Sequence, residues 1–450
     1  MKNPPYVSTT NACKLCRPLG AAVAFKGIEG CVPFLHGSQG CATYMRRYII
    51  SHFREPVDIA SSSLGEKQAV YGGGPNLKRG ILNVVQKYGA SVVGVATTCL
   101  TETIGDDVNG LIREFKKEFG DLNLPTILAV STPSFDGTHM EGFHGAVKAA
   151  VTTLAEEGRT TSAVTIFPGF VSAADIRYLK EVAADFGIQA TILPDYSETL
   201  DGPILDDYEK LPQGGTPVED IRAMSGAPAT IELGSTLGDL SAGNYLKQTF
   251  KVDLHSLGLP IGLRESDAFF AAMEGITGTP IPRKHELERG RLVDAMVDGH
   301  KYIAGKRAIV YGEEDMAIGL TAFLAEIGIV PVLVASGGES GRMEQAVCAL
   351  TRDIVAEQPE IVSGVDFFDI ADRARDLAPD LVIGNSKGYR VLARELGIPL
   401  IRTGFPIHDR IGAQRVLHLG YRGAQELFDL IVNAVLEKKQ EDSDVGYGYI

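Results

Sequence analysis

No apolar run in this 450-residue chain reaches the roughly 18 residues that a membrane-spanning helix needs. The opening stretch, MKNPPYVSTTNACKLC, holds no apolar core of the kind a secretory signal contains, so a cytoplasmic location is the expectation. Basic residues are in deficit: 43 Lys and Arg face 57 Asp and Glu, for a formal charge of −14. That balance argues against a protein built mainly to grip nucleic-acid phosphates, which rests on clustered positive charge. Cysteine is scarce. Six in 450 cannot staple a disulfide scaffold, and such usage fits a reducing compartment. Repeats at solenoid periods are absent. What is present is ordinary for a packed protein, 44% apolar and 22% charged, which excludes wholesale disorder.

At roughly 150 residues per domain the length suggests about three domains. Continuous apolar runs at 90–96, 126–130, 163–167, 190–193, 229–233, 308–311, 330–335, 380–383 and 399–402 read as strands buried on both faces, hence parallel sheets. Amphipathic stretches at 173–186, 287–302, 318–327 and 388–396 read as helices between them, several ending on a glycine before the next strand. The expectation is an α/β fold with right-handed crossovers. Residues 1–155 carry five of the six cysteines, 160–300 form a second α/β unit, 304–440 form a third Rossmann-like unit without a G-x-G-x-x-G fingerprint, and 441–450 are a polar tail.

The skewed cysteines are the feature to explain. Cys16 opens Cys-Arg-Pro-Leu-Gly, Cys41 closes His-Gly-Ser-Gln-Gly-Cys, and Cys99 ends the strand Val-Ala-Thr-Thr-Cys. All three stand at loops or strand ends, where α/β folds place ligands. Iron–sulfur clusters take thiolates converging from loops, with glycine-rich turns presenting N–H groups to the sulfurs. Yet the gaps of 25 and 58 residues match no compact zinc or ferredoxin pattern, and three thiolates are too few for a complete cubane. From the residues alone, cluster ligands and packed structural cysteines both stay open.

Longer motifs point further. Lys14–Gly20, His36–Cys41, His52-Phe53-Arg54-Glu55-Pro56, Thr97–Asp107, Thr132-Pro133-Ser134-Phe135, Gly404–Arg410 and Gly420-Tyr421-Arg422-Gly423 together resemble nitrogenase component 1 proteins of the β-type branch. That branch holds the catalytic β subunits and the cofactor-assembly protein NifN. The resemblance implies three Rossmann-like domains and an α-type partner, paired in an α2β2 heterotetramer. It implies that Cys16, Cys41 and Cys99 hold half of an [8Fe-7S] P-cluster at the subunit interface, with three partner cysteines holding the rest. It also implies that Ser134 is a redox-dependent oxygen ligand, that Tyr71 lies on the docking face for an ATP-dependent iron–sulfur reductase, and that Glu55 belongs to a metal site between β-type subunits. No catalytic residue is expected in this chain, since the catalytic cofactor belongs to the α-type partner.

Two functions compete within the resemblance. One is the electron-relaying subunit of a nitrogenase-like reductase such as methylthio-alkane reductase, which retention of all three cysteines and Ser134 favours. The other is NifN, half of a cofactor-assembly scaffold, where a simpler [4Fe-4S] cluster suffices. The cluster cysteine arriving at residue 16, Arg46-Arg47-Tyr48 and the 408–415 segment favour NifN-type or nitrogenase-like proteins over the molybdenum enzyme's β subunit. Cys13 forms Cys-x-x-Cys with Cys16, and its context favours packing or a secondary contact to the cluster over a free-standing dithiol. Cys31 and Cys348 read as core. His36 reads as a loop-orienting or turn-stabilising histidine, and Glu102, Asp106 and Asp107 as caps of the next helix. The loop Gly312-Glu313-Glu314-Asp315 follows a strand where a dinucleotide fold would hold phosphate; its three carboxylates repel one, so no nucleotide is expected there.

Overall fold

The computed structural model describes residues 13–446 apart from Tyr208. Residues 1–12 and the last four residues of the expected polar tail lie outside the described residues.

Thirteen strands among the described residues form three sheets. The first contains β1 (Cys31–His36), β2 (Ala60–Ser61), β3 (Val92–Thr97) and β4 (Thr126–Val130), in the order β2-β1-β3-β4. The second contains β5 (Val164–Phe167), β6 (Ala190–Ile192), β7 (Thr230–Leu233) and β8 (Leu254–Leu257), in the order β6-β5-β7-β8. The third contains β9 (Arg307–Gly312), β10 (Val330–Ser336), β11 (Glu360–Val362), β12 (Leu381–Gly384) and β13 (Leu400–Arg402), in the order β11-β10-β9-β12-β13. Every pairing is parallel. This is the expected α/β class with three parallel, Rossmann-like sheets.

All nine apolar runs read from the sequence are strands. The four unread strands lack that signature. β1 contains Pro33, which has no N–H for the ladder, and ends on a histidine. β2 spans two residues, β8 reads Leu-His-Ser-Leu, and β11 is a three-residue edge strand. The stretch expected to be helical at 388–396 is instead a wider-wound π-helical segment, Tyr389–Glu395.

Seven helices organise the first unit: α1 (Arg17–Lys26), α2 (Gln39–Phe53), α3 (Glu66–Tyr71), α4 (Gly74–Tyr88), α5 (Cys99–Ile104), α6 (Val108–Glu118) and α7 (His139–Leu154). α1 and α7 cross so closely that a side-chain carbon on Gly20 would overlap the His139 carbonyl, and one on Gly142 the Arg17 carbonyl. Glycine at both positions lets the backbones touch, and this fixes the start of α1 against the loop that precedes α7.

The three units are joined through carboxylates at the start of the helix Glu314–Glu326 that follows β9, together with its N-cap residue Glu313. Glu313 meets the ring of His139 at 3.3 Å and accepts the N–H of Phe405 at 3.2 Å. Glu314 accepts the N–H of Ser340 at 3.2 Å. Asp315 accepts those of Ser235 and Thr236 at 2.7 and 3.0 Å. The place where a phosphate would bind is thus occupied by buried acids bonded to both other units. The helix Gly420–Glu441 leaves the third sheet and packs on Arg283–Ile303, with Tyr421 stacked on Phe270 at 4.9 Å between centroids.

Candidate metal centre

In the first sheet β1 and β3 are neighbours, with His36 paired to Thr97. The chain leaves β1 toward β2 on one side and later returns to β3 on the other. The crevice between their carboxyl ends is therefore the topological switch point at which open α/β sheets bind ligands. The loop after β1 carries Cys41 in the first turn of α2, and the turn after β3 carries Cys99 as the first residue of α5.

Cys16 reaches the same place from the start of α1, where it is the N-cap residue. Ser134, in the segment after β4, ties the groups together. Its N–H donates to Cys99 Sγ at 3.2 Å, and its hydroxyl accepts the N–H of Arg17, next to Cys16, at 3.2 Å. Ser38 donates its hydroxyl to Cys41 Sγ at 3.3 Å. Burial pushes the Cys16 thiol above its ordinary value; the Ser134 hydroxyl opposes this, while the nearby Cys99 and Cys41 thiols add to it. Lys387, from the third unit, pulls it down again and donates to the Lys14 carbonyl at 3.2 Å. Cys16 and Cys41 also lie at helix starts, where the backbone dipole favours thiolate.

The segment leading to Cys16 is strapped from two sides. The Cys13 N–H donates to Val365 at 3.3 Å and its carbonyl accepts from Gly337 at 3.2 Å. Leu15 donates to Nδ1 of His139 at 3.4 Å, and the His139 N–H returns a bond to the Leu15 carbonyl at 3.0 Å. Cys13 itself packs in the third unit's core beside Tyr311 and Phe367, with its thiol pushed up to about 12 by burial. Cys31 is equally buried and also pushed up to about 12. Burial of this kind disfavours the thiolate at both positions. Cys348 is partly buried in the helix Met343–Thr351.

The donor set consists of three thiols and one hydroxyl. Among the described residues no group of three or more His, Cys, Asp or Glu closes on a single metal ion. Soft thiols on three separate loops around one crevice suit a group with several irons, each capped by its own sulfur. A polynuclear iron–sulfur cluster fits these residues; a single-ion zinc site does not.

The other expected residues lie elsewhere. Tyr71 ends α3 and is 79% exposed, with Val70 beside it at 76%. Glu55 is half-buried in a cleft of about 790 Å³ that holds none of the three thiols. Burial, then Asp201, raise its carboxyl above the ordinary range, against the pull of Arg415. Only Asp107 caps a helix as expected, accepting the Gly110 N–H at 2.9 Å. Glu102 instead receives the hydroxyls of Thr97 and Ser131, and Asp106 turns back to His36 and Gly73. Ser38, His139 and Lys387 were not read from the sequence. Lys387 is some 370 residues from the cysteine it influences, and no local pattern announces it.

Residues 16–436 match the family model described as nitrogenase component 1 type oxidoreductase. The chain belongs to that family, whose members are oxidoreductases. It is 36% identical over 433 residues to the nitrogenase molybdenum-iron protein beta chain of Clostridium pasteurianum, covering 96% of this chain and 94% of that one. It is 34% identical to the nitrogenase vanadium-iron protein beta chain of Trichormus variabilis over 95% of this chain and 94% of the relative. Among solved structures, a chain of nitrogenase Cp1 at pH 6.5 superposes with a TM-score of 0.95 at 34% identity, covering 100% of this chain and 98% of that one. Within the family, then, this is a β-type subunit. No helix among its described residues is long and apolar enough to cross a membrane.

Proposed function

We propose that this chain is the electron-relaying β-type subunit of a nitrogenase-like reductase complex, of which methylthio-alkane reductase is one example. The observation that carries the reading is the gathering of Cys16, Cys41, Cys99 and Ser134 around one crevice at the carboxyl ends of β1 and β3. The three thiolates hold one half of an interfacial [8Fe-7S] P-cluster-type group, and cysteines of an α-type partner hold the other, within an α2β2 heterotetramer. When bound, that group supplies one-electron storage and transfer.

The chain's own residues set the conditions for it. Ser38 and the Ser134 N–H each donate to a ligand sulfur and stabilise it as thiolate. Lys387, whose own pKa burial lowers, draws the Cys16 thiol toward thiolate. The Ser134 hydroxyl stands ready as an oxygen donor beside Cys16 and Cys99. Tyr71 contributes to the surface on which an ATP-dependent iron–sulfur reductase docks, and Glu55 to a minor metal site between β-type subunits. The catalytic cofactor lies in the α-type partner.

The test is to purify the complex with its α-type partner, add a nitrogenase-type reductase and MgATP, and measure substrate turnover with methylthio-alkanes and dinitrogen. Turnover dependent on both additions supports the reading. No turnover, together with transfer of a cofactor precursor to apo-nitrogenase, replaces it with the NifN-type scaffold and a [4Fe-4S] cluster.

A further inference from the structure

The third sheet has a switch point of its own. The chain leaves β9 for β10 on one side and later returns to β12 on the other. The crevice between the carboxyl ends of β9 and β12 is therefore where such a sheet takes a ligand. Here that edge holds a piece of the chain itself. Cys13 packs into the third unit's core, and Gly337, directly after β10, comes so close that a side-chain carbon on it would lie 2.5 Å from the Cys13 carbonyl. Lys387, in the turn after β12, donates its ammonium to the carbonyl of Lys14 at 3.2 Å. The unit's ligand edge thus grips the strap that leads to Cys16.

The turn that carries Lys387, Ser386–Gly388, is over-determined. Asn385 is buried just before it. Its side chain accepts the Lys387 N–H at 3.1 Å and donates to the Phe405 carbonyl at 3.3 Å, and its own carbonyl accepts the Tyr311 hydroxyl at 2.5 Å. Ser386 donates both its N–H and its hydroxyl to the Pro406 carbonyl at 3.0 Å. A side-chain carbon on Gly388 would overlap the Tyr311 hydroxyl. The backbone gives the long lysine side chain a fixed origin, and the bond to Lys14 fixes its far end. Lys14 stands two residues before Cys16, so backbone dimensions keep the Lys387 nitrogen within about 13 Å of the Cys16 sulfur. Burial lowers the Lys387 pKa, while Cys13 and then Cys16 pull it back up, so ammonium and thiol act on each other.

Each electron that enters a cluster makes it one unit more negative. An ammonium nearby attracts the reduced form more than the oxidised one, and local charge is one of the quantities that set such potentials. One unit charge at about 13 Å, with an effective dielectric constant of about 20, shifts that balance by about tenfold. We propose that Lys387, although it is no ligand, raises the reduction potential of the group held by Cys16, Cys41 and Cys99 and so makes it a better electron acceptor. The inference rests on the cluster assignment within the electron-relay reading. The step concerned is the arrival of one electron from an external reductant; no bond in this chain forms or breaks.

The test uses complexes purified with the α-type partner and carrying Lys387→Met, Lys387→Gln or Lys387→Arg. Iron content is measured first, and the cluster is then titrated at equilibrium with dithionite and dye mediators, followed by absorbance and electron paramagnetic resonance. The expected result is wild-type iron and resting spectra in all three. In the Met and Gln variants the ratio of reduced to oxidised cluster at a fixed ambient potential falls about tenfold, a midpoint lower by about 59 mV for a one-electron couple. Lys387→Arg, which keeps the charge, stays close to wild type. An unchanged midpoint in a charge-free variant that keeps its iron overturns the inference. So does a shift in Lys387→Arg as large as in Lys387→Met, or loss of iron in both charge-free variants; either makes the residue a merely structural strap. The nitrogenase-type reductase with MgATP is added separately to the wild-type complex. Its failure to reduce the cluster overturns the electron-relay reading and leaves the titration to decide the inference, whereas a wild-type complex without any iron–sulfur signal overturns both.

Discussion

Ser134 donates its backbone N–H to the sulfur of Cys99 at 3.2 Å, while its hydroxyl accepts from the residue after Cys16. The two contacts are separable, because only the second uses the side chain. Ser134→Ala therefore keeps the bond to Cys99 and removes the oxygen, at a stability cost of about 1 kcal/mol or less. The expected outcome is an intact reduced cluster with an altered oxidised state, seen by electron paramagnetic resonance. An unchanged oxidised spectrum contradicts the role of Ser134 as a redox-linked ligand.

The contact of α1 with α7 fixes where Cys16 can be. Ala at Gly20 drives its Cβ into the His139 carbonyl, and neither backbone can yield without moving the other helix. Gly20→Ala is expected to cost at least the ~1–3 kcal/mol typical of overpacking. It is also expected to displace the residue 13–16 segment that His139 holds. A lowered melting temperature accompanied by iron loss checks this; full iron at a lowered melting temperature separates stability from cluster geometry and contradicts the link.

The second and third units share a buried acid. Asp175 accepts the N–H groups of His418 and Leu419 at 2.7 and 3.0 Å and meets the His418 ring at 2.8 Å. Burial pushes its carboxyl up, but the His418 ring and these bonds outweigh it and hold the pKa below the ordinary aspartate value. A depressed carboxyl contributes stability that is fully present above the unfolded value, about 3.9, and is lost as pH falls through the folded value. Asp175→Asn is expected to destabilise the chain by about 3 kcal/mol near neutrality, the usual scale for breaking a buried pair. The difference from wild type should shrink toward acid. Denaturation midpoints at pH 7 and at about pH 2.5, below the unfolded value, measure it; a constant difference contradicts the assignment.

Much of the fold was legible because buried parallel strands leave continuous Val, Ile and Leu runs, and all nine such runs are strands. β1 was not, although it leads to Cys41, because Pro33 and His36 break the apolar pattern that marks a core strand. The site was legible as three cysteines in motif-rich loops. Its geometry was not, since the partners are distant in sequence: Ser134 reaches back 117 residues to Arg17, and His139 reaches forward 174 to Glu313. Asp106 looked like a helix cap because a carboxylate after a strand usually is one; its actual partners, His36 and Gly73, precede it by 70 and 33 residues.

The most direct measurement is iron content and absorption spectrum in complexes purified with the α-type partner and carrying Cys16→Ala, Cys41→Ala or Cys99→Ala. Each variant is expected to lose most of its iron or to hold a smaller, spectrally distinct cluster, while the equally buried or more buried Cys13→Ala, Cys31→Ala and Cys348→Ala controls keep wild-type iron. Stoichiometric iron and an unchanged spectrum in all three of the first set would contradict the account at its centre.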